Sequence, residues 1–179
     1  MNIGFDLDKV FIDTPPFIPK SIIDRLYKKR DNGVLLYRIP GKPEQIIRAL
    51  THIPLLRRPM RENLEFLQRF PKDKNKLYLI SSRFKFLEGQ TQRIIKKHNF
   101  DHIFDAMFFN FSNEQPHVFK NRIIRNLKLD YYIDDDLSLL NYAAKNNPAT
   151  KFFWLNGIKA KQAVEKNITK ISKLSEIFP

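Results

Sequence analysis

Three short clusters in the chain hold residue types that could do chemistry together. Asp6-Leu7-Asp8 follows the apolar stretch Ile3-Gly4-Phe5, Ser81-Ser82-Arg83 follows Leu77-Tyr78-Leu79-Ile80, and Asp134-Asp135-Asp136 follows Tyr131-Tyr132-Ile133. Each apolar stretch reads as a buried strand. Open parallel α/β sheets bind ligands beyond the carboxyl ends of their strands, so the clusters are expected along one sheet edge. Lys120 lies on a predicted helix, 117–127, that leads into the strand before Asp134. Four carboxylates (Asp6, Asp8, Asp134 and Asp135), a hydroxyl and a lysine would then converge.

Carboxylates held together repel. A pair at ~4 Å costs roughly 4 kcal/mol at an effective dielectric near 20, so the cluster must take up protons or bind a cation. Ligation by oxygen alone favours a hard ion, and Mg²⁺ is the usual one where phosphates are handled. Asp6 and Asp8 stand at i and i+2, which on a strand places both side chains on one side. One could attack as a nucleophile and form an aspartyl-phosphate, while the other moves a proton to the leaving oxygen and from water.

The elements that would position these groups alternate between short strands and helices. Strands are predicted at 2–5, 76–80, 106–109, 131–133 and 151–155, with helices at 86–98, 117–127 and 137–145 and a further helix starting at Pro59. Such alternation predicts an α/β fold with a parallel sheet covered on both faces. The tail, 159–178, is expected to be one or two helices. Residues 15–58 interrupt the pattern between the first and second core strands. They read as two helices, 21–30 and 44–50, with Asp31-Asn32-Gly33 as a helix stop. This segment carries ten Lys or Arg against three Asp or Glu, a net of +7 within a chain of +13. A small basic helical cap over 15–58, on a core of 1–14 and 59–179, is the expected organisation. A basic surface attracts anions.

The motifs in this order resemble those of the haloacid dehalogenase (HAD) superfamily. Phe5-Asp6-Leu7-Asp8-Lys9-Val10 matches its first motif, Leu79-Ile80-Ser81 the second, Lys120 the third and Ile133-Asp134-Asp135 the fourth. The resemblance implies a three-layer Rossmann-like core with a cap inserted after the first strand. It implies Asp6 as nucleophile and magnesium ligand, and Asp8 as general acid/base with its backbone carbonyl on the metal. Ser81, with Ser82 as the competing choice, and Lys120 would bind the phosphoryl group. Asp134 and Asp135 would complete the Mg²⁺ site, while Asp136 could instead cap the next helix. Lys9 departs from the pattern, since glycine is common there. The Ser81-Ser82-Arg83 turn, the His98-Asn99-Phe100 helix end and Ile133-Asp134-Asp135 resemble the deoxyribonucleotidase-like branch, which makes nucleotide monophosphates the leading substrate class.

Other candidates weigh less. Arg57 and Arg58, with Arg61 nearby, could select an anionic substrate or form a solvated basic face. His98 and His102 stand four apart but look like a helix end rather than a ligand pair, and Trp154 reads as core. Cysteine is absent, which excludes disulfides and thiolate chemistry. No apolar run approaches the ~18 residues of a membrane span. No secretory leader is visible, so a cytoplasmic location is expected. The favoured function is Mg²⁺-dependent hydrolysis of a small phosphorylated metabolite such as a nucleotide. A phosphatase for nucleic-acid ends and a non-catalytic phosphate- or nucleic-acid-binding module remain open.

Overall fold

The structure, a computed structural model, describes residues 1–14, 28–31, 34–71, 73–155 and 163–178. In chain order these form β1 (Asn2–Phe5), β2 (Lys28–Asp31), β3 (Val34–Tyr37), α1 (Lys42–Thr51), α2 (Arg61–Arg69), β4 (Lys76–Ser81), α3 (Glu88–Lys97), β5 (Ala106–Phe109), α4 (Pro116–Asn126), β6 (Tyr131–Asp134), α5 (Leu137–Asn146), β7 (Lys151–Leu155) and β8 (Ile168–Ile171). Six strands make one sheet in the order β5-β4-β1-β6-β7-β8, and every neighbouring pair is parallel.

Alternation along the strands sorts their side chains into two cores. Leu77 and Leu79 of β4 join Ile3, Phe5 and Ile133 on one face, packed with Leu67 of α2 and Ile94 and Ile95 of α3. Tyr78 and Ile80 join Tyr132, Phe152 and Trp154 on the other, packed with Ile123 and Ile124 of α4 and Leu139 and Leu140 of α5. A strand buried on both faces has no polar side to spare, which is why these segments read as continuous apolar runs. The result is the expected three-layer α/β architecture.

From β1 the chain moves outward through β4 and β5, then returns to β6 on the other side of β1 and continues through β7 and β8. The crevice between β1 and β6 is therefore the topological switch point, where such sheets bind ligands. Asp6 follows one of these strands and Asp134 ends the other.

The stretches flanking residues 15–58 run side by side. Asp13 N donates to Arg58 O at 2.8 Å and Met60 N to Phe11 O at 2.8 Å. Within the segment α1 lies where a helix is expected, but β2 and β3 form an antiparallel hairpin. Residues 28–30 of the expected 21–30 helix are strand, and 21–27 lie outside the described residues. The tail also differs. Its described part holds the edge strand β8 and a single 3-10 turn, Leu174–Glu176, instead of helices. Ile168, Ile171 and Leu174 are buried at a spacing of three, which mimics a helical stripe. No described helix is long and apolar enough to cross a membrane.

Gly4 sits where a side chain cannot. A Cβ there would lie 2.5 Å from Leu129 Cδ1, 2.9 Å from Tyr132 Cδ2 and 3.2 Å from Ile80 Cδ1. We expect Gly4→Ala to destabilise the protein by about 1–3 kcal/mol, the usual range for overpacking. Gly89 lies in α3, and a Cβ there would meet nothing within 4 Å. Gly89→Ala should therefore stabilise by about 0.5–1 kcal/mol. Urea unfolding of the two variants checks both signs.

Candidate active site

β1 delivers Asp6 because Asp6 N continues the ladder to Ile133 O at 2.9 Å. The carboxylate then faces Lys120, which reaches across from α4. Lys120 Nζ donates to Asp6 Oδ1 and to Asp134 Oδ2, each at 2.7 Å. The lysine side chain is 2% exposed, Asp6 8% and Asp134 1%. Asp134 is further fixed by Tyr132 Oη, which donates to Oδ2 at 3.0 Å, and by the backbone N of Asp136, which donates to Oδ1 at 2.9 Å. Trp154 is core, as expected, and also donates from Nε1 to the carbonyl of Asp135 at 3.1 Å, pinning the loop after β6.

Burial is the largest influence on Asp6 and raises its pKa. Lys120 pulls it down, Asp134 and Asp8 raise it further, and the net direction is well above the usual carboxylate range. For Lys120 burial acts downward, but Asp134 and Asp6 outweigh it and hold the ammonium charged. One cation thus serves two buried carboxylates. Oxygen atoms of Asp6, Asp134 and half-buried Asp135 lie within 4.8 Å of one another. This surplus of negative charge on oxygen donors fits a hard divalent ion.

Asp8 is held quite differently. Arg83 forks onto it, Nε to Oδ2 and Nη2 to Oδ1, both at 2.7 Å. Arg57 donates from Nη2 to the same Oδ1. Burial would raise the Asp8 pKa, but Arg83 and Arg57 overcome it and keep the group ionised far below the usual range. Its side chain therefore faces arginines, and the acidic cluster consists of Asp6, Asp134 and Asp135. Behind Arg57 lies His52, whose Nε2 is 3.4 Å from Arg57 Nη1. Burial first, then Arg83 and Arg57, push the His52 pKa well down.

The turn after Asp8 explains the residue that follows it. Lys9 has φ of 64°, in the left-handed region that glycine occupies without strain. The turn closes with Phe11 N and Ile12 N both on Leu7 O at 3.1 Å. Lys9 Nζ pairs with Asp13 at 2.6 Å, so it is occupied locally rather than directed at a ligand.

Ser81, at the end of β4, is 1% exposed, and its Oγ lies 3.5 Å from the backbone N of Arg83. Ser82 is half-buried beside it. Asp136 caps α5, accepting from Ser138 N at 3.1 Å and Leu139 N at 3.4 Å, and also from Tyr37 Oη at 2.8 Å. Tyr37 docks the hairpin on the core. Its backbone N donates to Gln115 Oε1 at 2.8 Å and its ring stacks on His117 at 5.9 Å.

Asp6, Lys120, Asp134 and Asp135 meet at one place, as their positions at strand ends and on the helix before β6 imply. Arg57, a candidate for facing a substrate, is instead buried against Asp8, while Arg58 is exposed. His102 is exposed and His98 half-buried, and neither belongs to the acidic cluster. The roles of Arg83 and His52 escape a reading of the sequence. Arg83 is visible in the Ser81-Ser82-Arg83 turn, two residues past a strand end, but nothing in its spacing points to Asp8.

No family model and no curated protein matches the chain. Solved structures do match. A HAD-superfamily hydrolase from Ehrlichia chaffeensis aligns at TM-score 0.55 and 15% identity, over 98% of this chain and 93% of that one. A D,D-heptose 1,7-bisphosphate phosphatase from B. bronchiseptica, complexed with magnesium and phosphate, aligns at TM-score 0.59 and 14% identity, over 98% and 94%. An uncharacterized protein from Listeria monocytogenes serotype 4b aligns at TM-score 0.60 and 10% identity, over 98% and 93%. The chain thus has the fold of HAD-superfamily hydrolases.

If the acidic cluster holds Mg²⁺, adding the ion should raise thermal stability. At a hundredfold excess over Kd the gain is about 2.7 kcal/mol. Asp134→Asn should lose most of that increment. The raised pKa of Asp6 means that the folded, metal-free protein binds a proton there more readily than the unfolded chain. Its ionisation therefore removes stability as pH rises, and protons compete with the ion as pH falls. Melting curves with and without Mg²⁺ between about pH 5 and pH 8 should show the increment shrinking toward the acid end.

Proposed function

We propose that the protein is a Mg²⁺-dependent phosphomonoesterase that uses Asp6 as its nucleophile. The observation that carries this reading is the buried Asp6–Lys120–Asp134 arrangement at the switch point of the sheet, with Asp135 alongside. The likeness to a phosphatase fold supports it.

Asp6 attacks phosphorus through a carboxylate oxygen, forming an aspartyl-phosphate as the ester oxygen departs. Water then attacks the same phosphorus, releasing phosphate and restoring Asp6. Asp8, two residues on and held ionised by Arg83 and Arg57, is the base that takes the proton the attacking water gives up, and the leaving oxygen gains its proton from solvent. Lys120 neutralises charge on Asp6 and the phosphoryl oxygens. Ser81, with Ser82 beside it, donates to the phosphoryl group from the end of β4. Asp6, Asp134, Asp135 and the backbone carbonyl of Asp8 would hold the ion, which supplies charge neutralisation for carboxylates and phosphate together.

Residues 15–58 would serve as a cap that selects the substrate. Tyr37 supports this, since it ties the hairpin to the loop before α4 and to the N-terminus of α5, both at the site edge. The basic composition of the segment favours an anionic metabolite, with a nucleotide as the leading class.

The test is phosphate release from p-nitrophenyl phosphate and from a panel of nucleotides, sugar phosphates and phosphorylated oligonucleotides, with Mg²⁺ or EDTA. Wild type should turn over only with Mg²⁺. Asp6→Asn should fall by at least about 10³-fold, the scale for losing a nucleophile. No turnover on any member of the panel would sink the proposal.

A further inference from the structure

We infer that Arg57 and Arg83 are positioning residues that fix the Asp8 carboxylate for proton transfer, with His52 holding Arg57 in place. The inference rests on the reading of Asp8 as the proton-handling group of the proposed phosphatase.

Burial separates positioning from substrate binding. The side chains of Arg57 and Arg83 are 2% and 3% exposed, whereas that of Asp8 is 28% exposed. Asp8 is therefore the member of the trio that meets solvent and any ligand, and the arginines stand behind it. They also come from different parts of the fold. Arg83 follows β4, and Arg57 lies between α1 and α2, 49 residues from Asp8. Two independent anchors leave the carboxylate little freedom to rotate about its χ angles.

The arginines are themselves held. Arg83 Nη1 lies 3.4 Å from Thr91 Oγ1, which donates to Leu87 O at 2.8 Å on the first turn leading into α3. His52 closes the end of α1, and its Nδ1 is 2.7 Å from the carbonyl oxygen of Arg48. A carbonyl only accepts, so Nδ1 carries the proton and Nε2 is left to accept from Arg57 Nη1. A chain of polar contacts thus runs from α1 through His52, Arg57, Asp8 and Arg83 to α3.

Stability does not account for this arrangement. Two buried guanidiniums share one carboxylate, and Arg57 Nε has no hydrogen-bond partner among the described residues. Burying charge in this way costs more than an apolar replacement would. A device that orients a reacting group gives a reason for it, because small misplacements of a catalytic group are costly.

The test compares kcat and KM for p-nitrophenyl phosphate, and inhibition by inorganic phosphate, across Arg57→Gln, Arg57→Lys, Arg83→Gln, Arg83→Lys and Asp8→Asn. Loss of either anchor should lower kcat by about tenfold to a hundredfold, with KM and phosphate inhibition within about twofold. Arg57→Lys should recover much of the rate, because Arg57 gives Asp8 a single N–H. Arg83→Lys should not, because its fork gives two. In an Asp8→Asn background each arginine change should cost less than about twofold, since the group it acts through is gone. Losses that multiply in that background would overturn the inference, as would a raised KM with kcat unchanged. Nitrogen-15 NMR supplies a readout independent of turnover. The Arg83 Nε–H should exchange slowly in wild type and rapidly in Asp8→Asn, and equal exchange in both would remove the clamp. A wild type that hydrolyses no phosphate ester, with the slow signal intact, would sink the phosphatase reading and with it the catalytic meaning of the clamp.

Discussion

The structure turns on one ammonium group. Lys120 lies buried between Asp6 and Asp134, and the first of these is 114 residues away in the chain. A buried lysine keeps its charge only where anions offset its desolvation, and buried carboxylates keep theirs only where cations or hydrogen-bond donors do. That mutual need sets conditions on the fold. β1 and β6 must be neighbours, so that their ends present Asp6 and Asp134 side by side. α4 must cross the sheet at the height that brings Lys120 over both. Tyr132 Oη and the Asp136 amide then complete the shell around Asp134.

The charges beyond this trio divide the site into two halves. On the Asp6 side carboxylates outnumber the single lysine, and the excess favours a metal ion. On the Asp8 side arginines outnumber the single carboxylate. Asp6 and Asp8 are two residues apart, and their environments move their pKa values in opposite directions. Asp8 is thereby held as a carboxylate able to accept a proton, while a cation joining the acidic cluster would favour the ionised form of Asp6 that attack requires.

Much of this is legible in the sequence because strand ends carry their own signature. An apolar run followed at once by Asp, or by Ser, marks both a buried strand and the edge where chemistry occurs. Lys120 is legible because its predicted helix feeds the strand before Asp134. The partners of Asp8 are not. Arg57 looks like one of several surface arginines, and only tertiary packing turns it inward. Local readings fail where two periods overlap or a turn signal has two meanings. Ile168 and Ile171 stand three apart as in a helix, yet they lie on β8 and pack into the cores on opposite faces of the sheet, with exposed Thr169 and Lys170 between them. Asn32-Gly33 reads as a helix stop, though Asn-Gly between extended segments is also the leading hairpin signal. Lys9 shows the reverse case: the departure from glycine is tolerated because one non-glycine residue can occupy the left-handed region at modest cost.

The central claim is that Asp6 becomes covalently phosphorylated. Quenching the protein during turnover of p-nitrophenyl phosphate, reducing with borohydride and mapping peptides by mass spectrometry tests it directly, because an acyl phosphate is reduced where a free carboxylate is not. The account predicts conversion of Asp6 to homoserine that depends on substrate and Mg²⁺. Modification at Asp8 or Asp134 instead, or turnover with an unmodified Asp6, would contradict it.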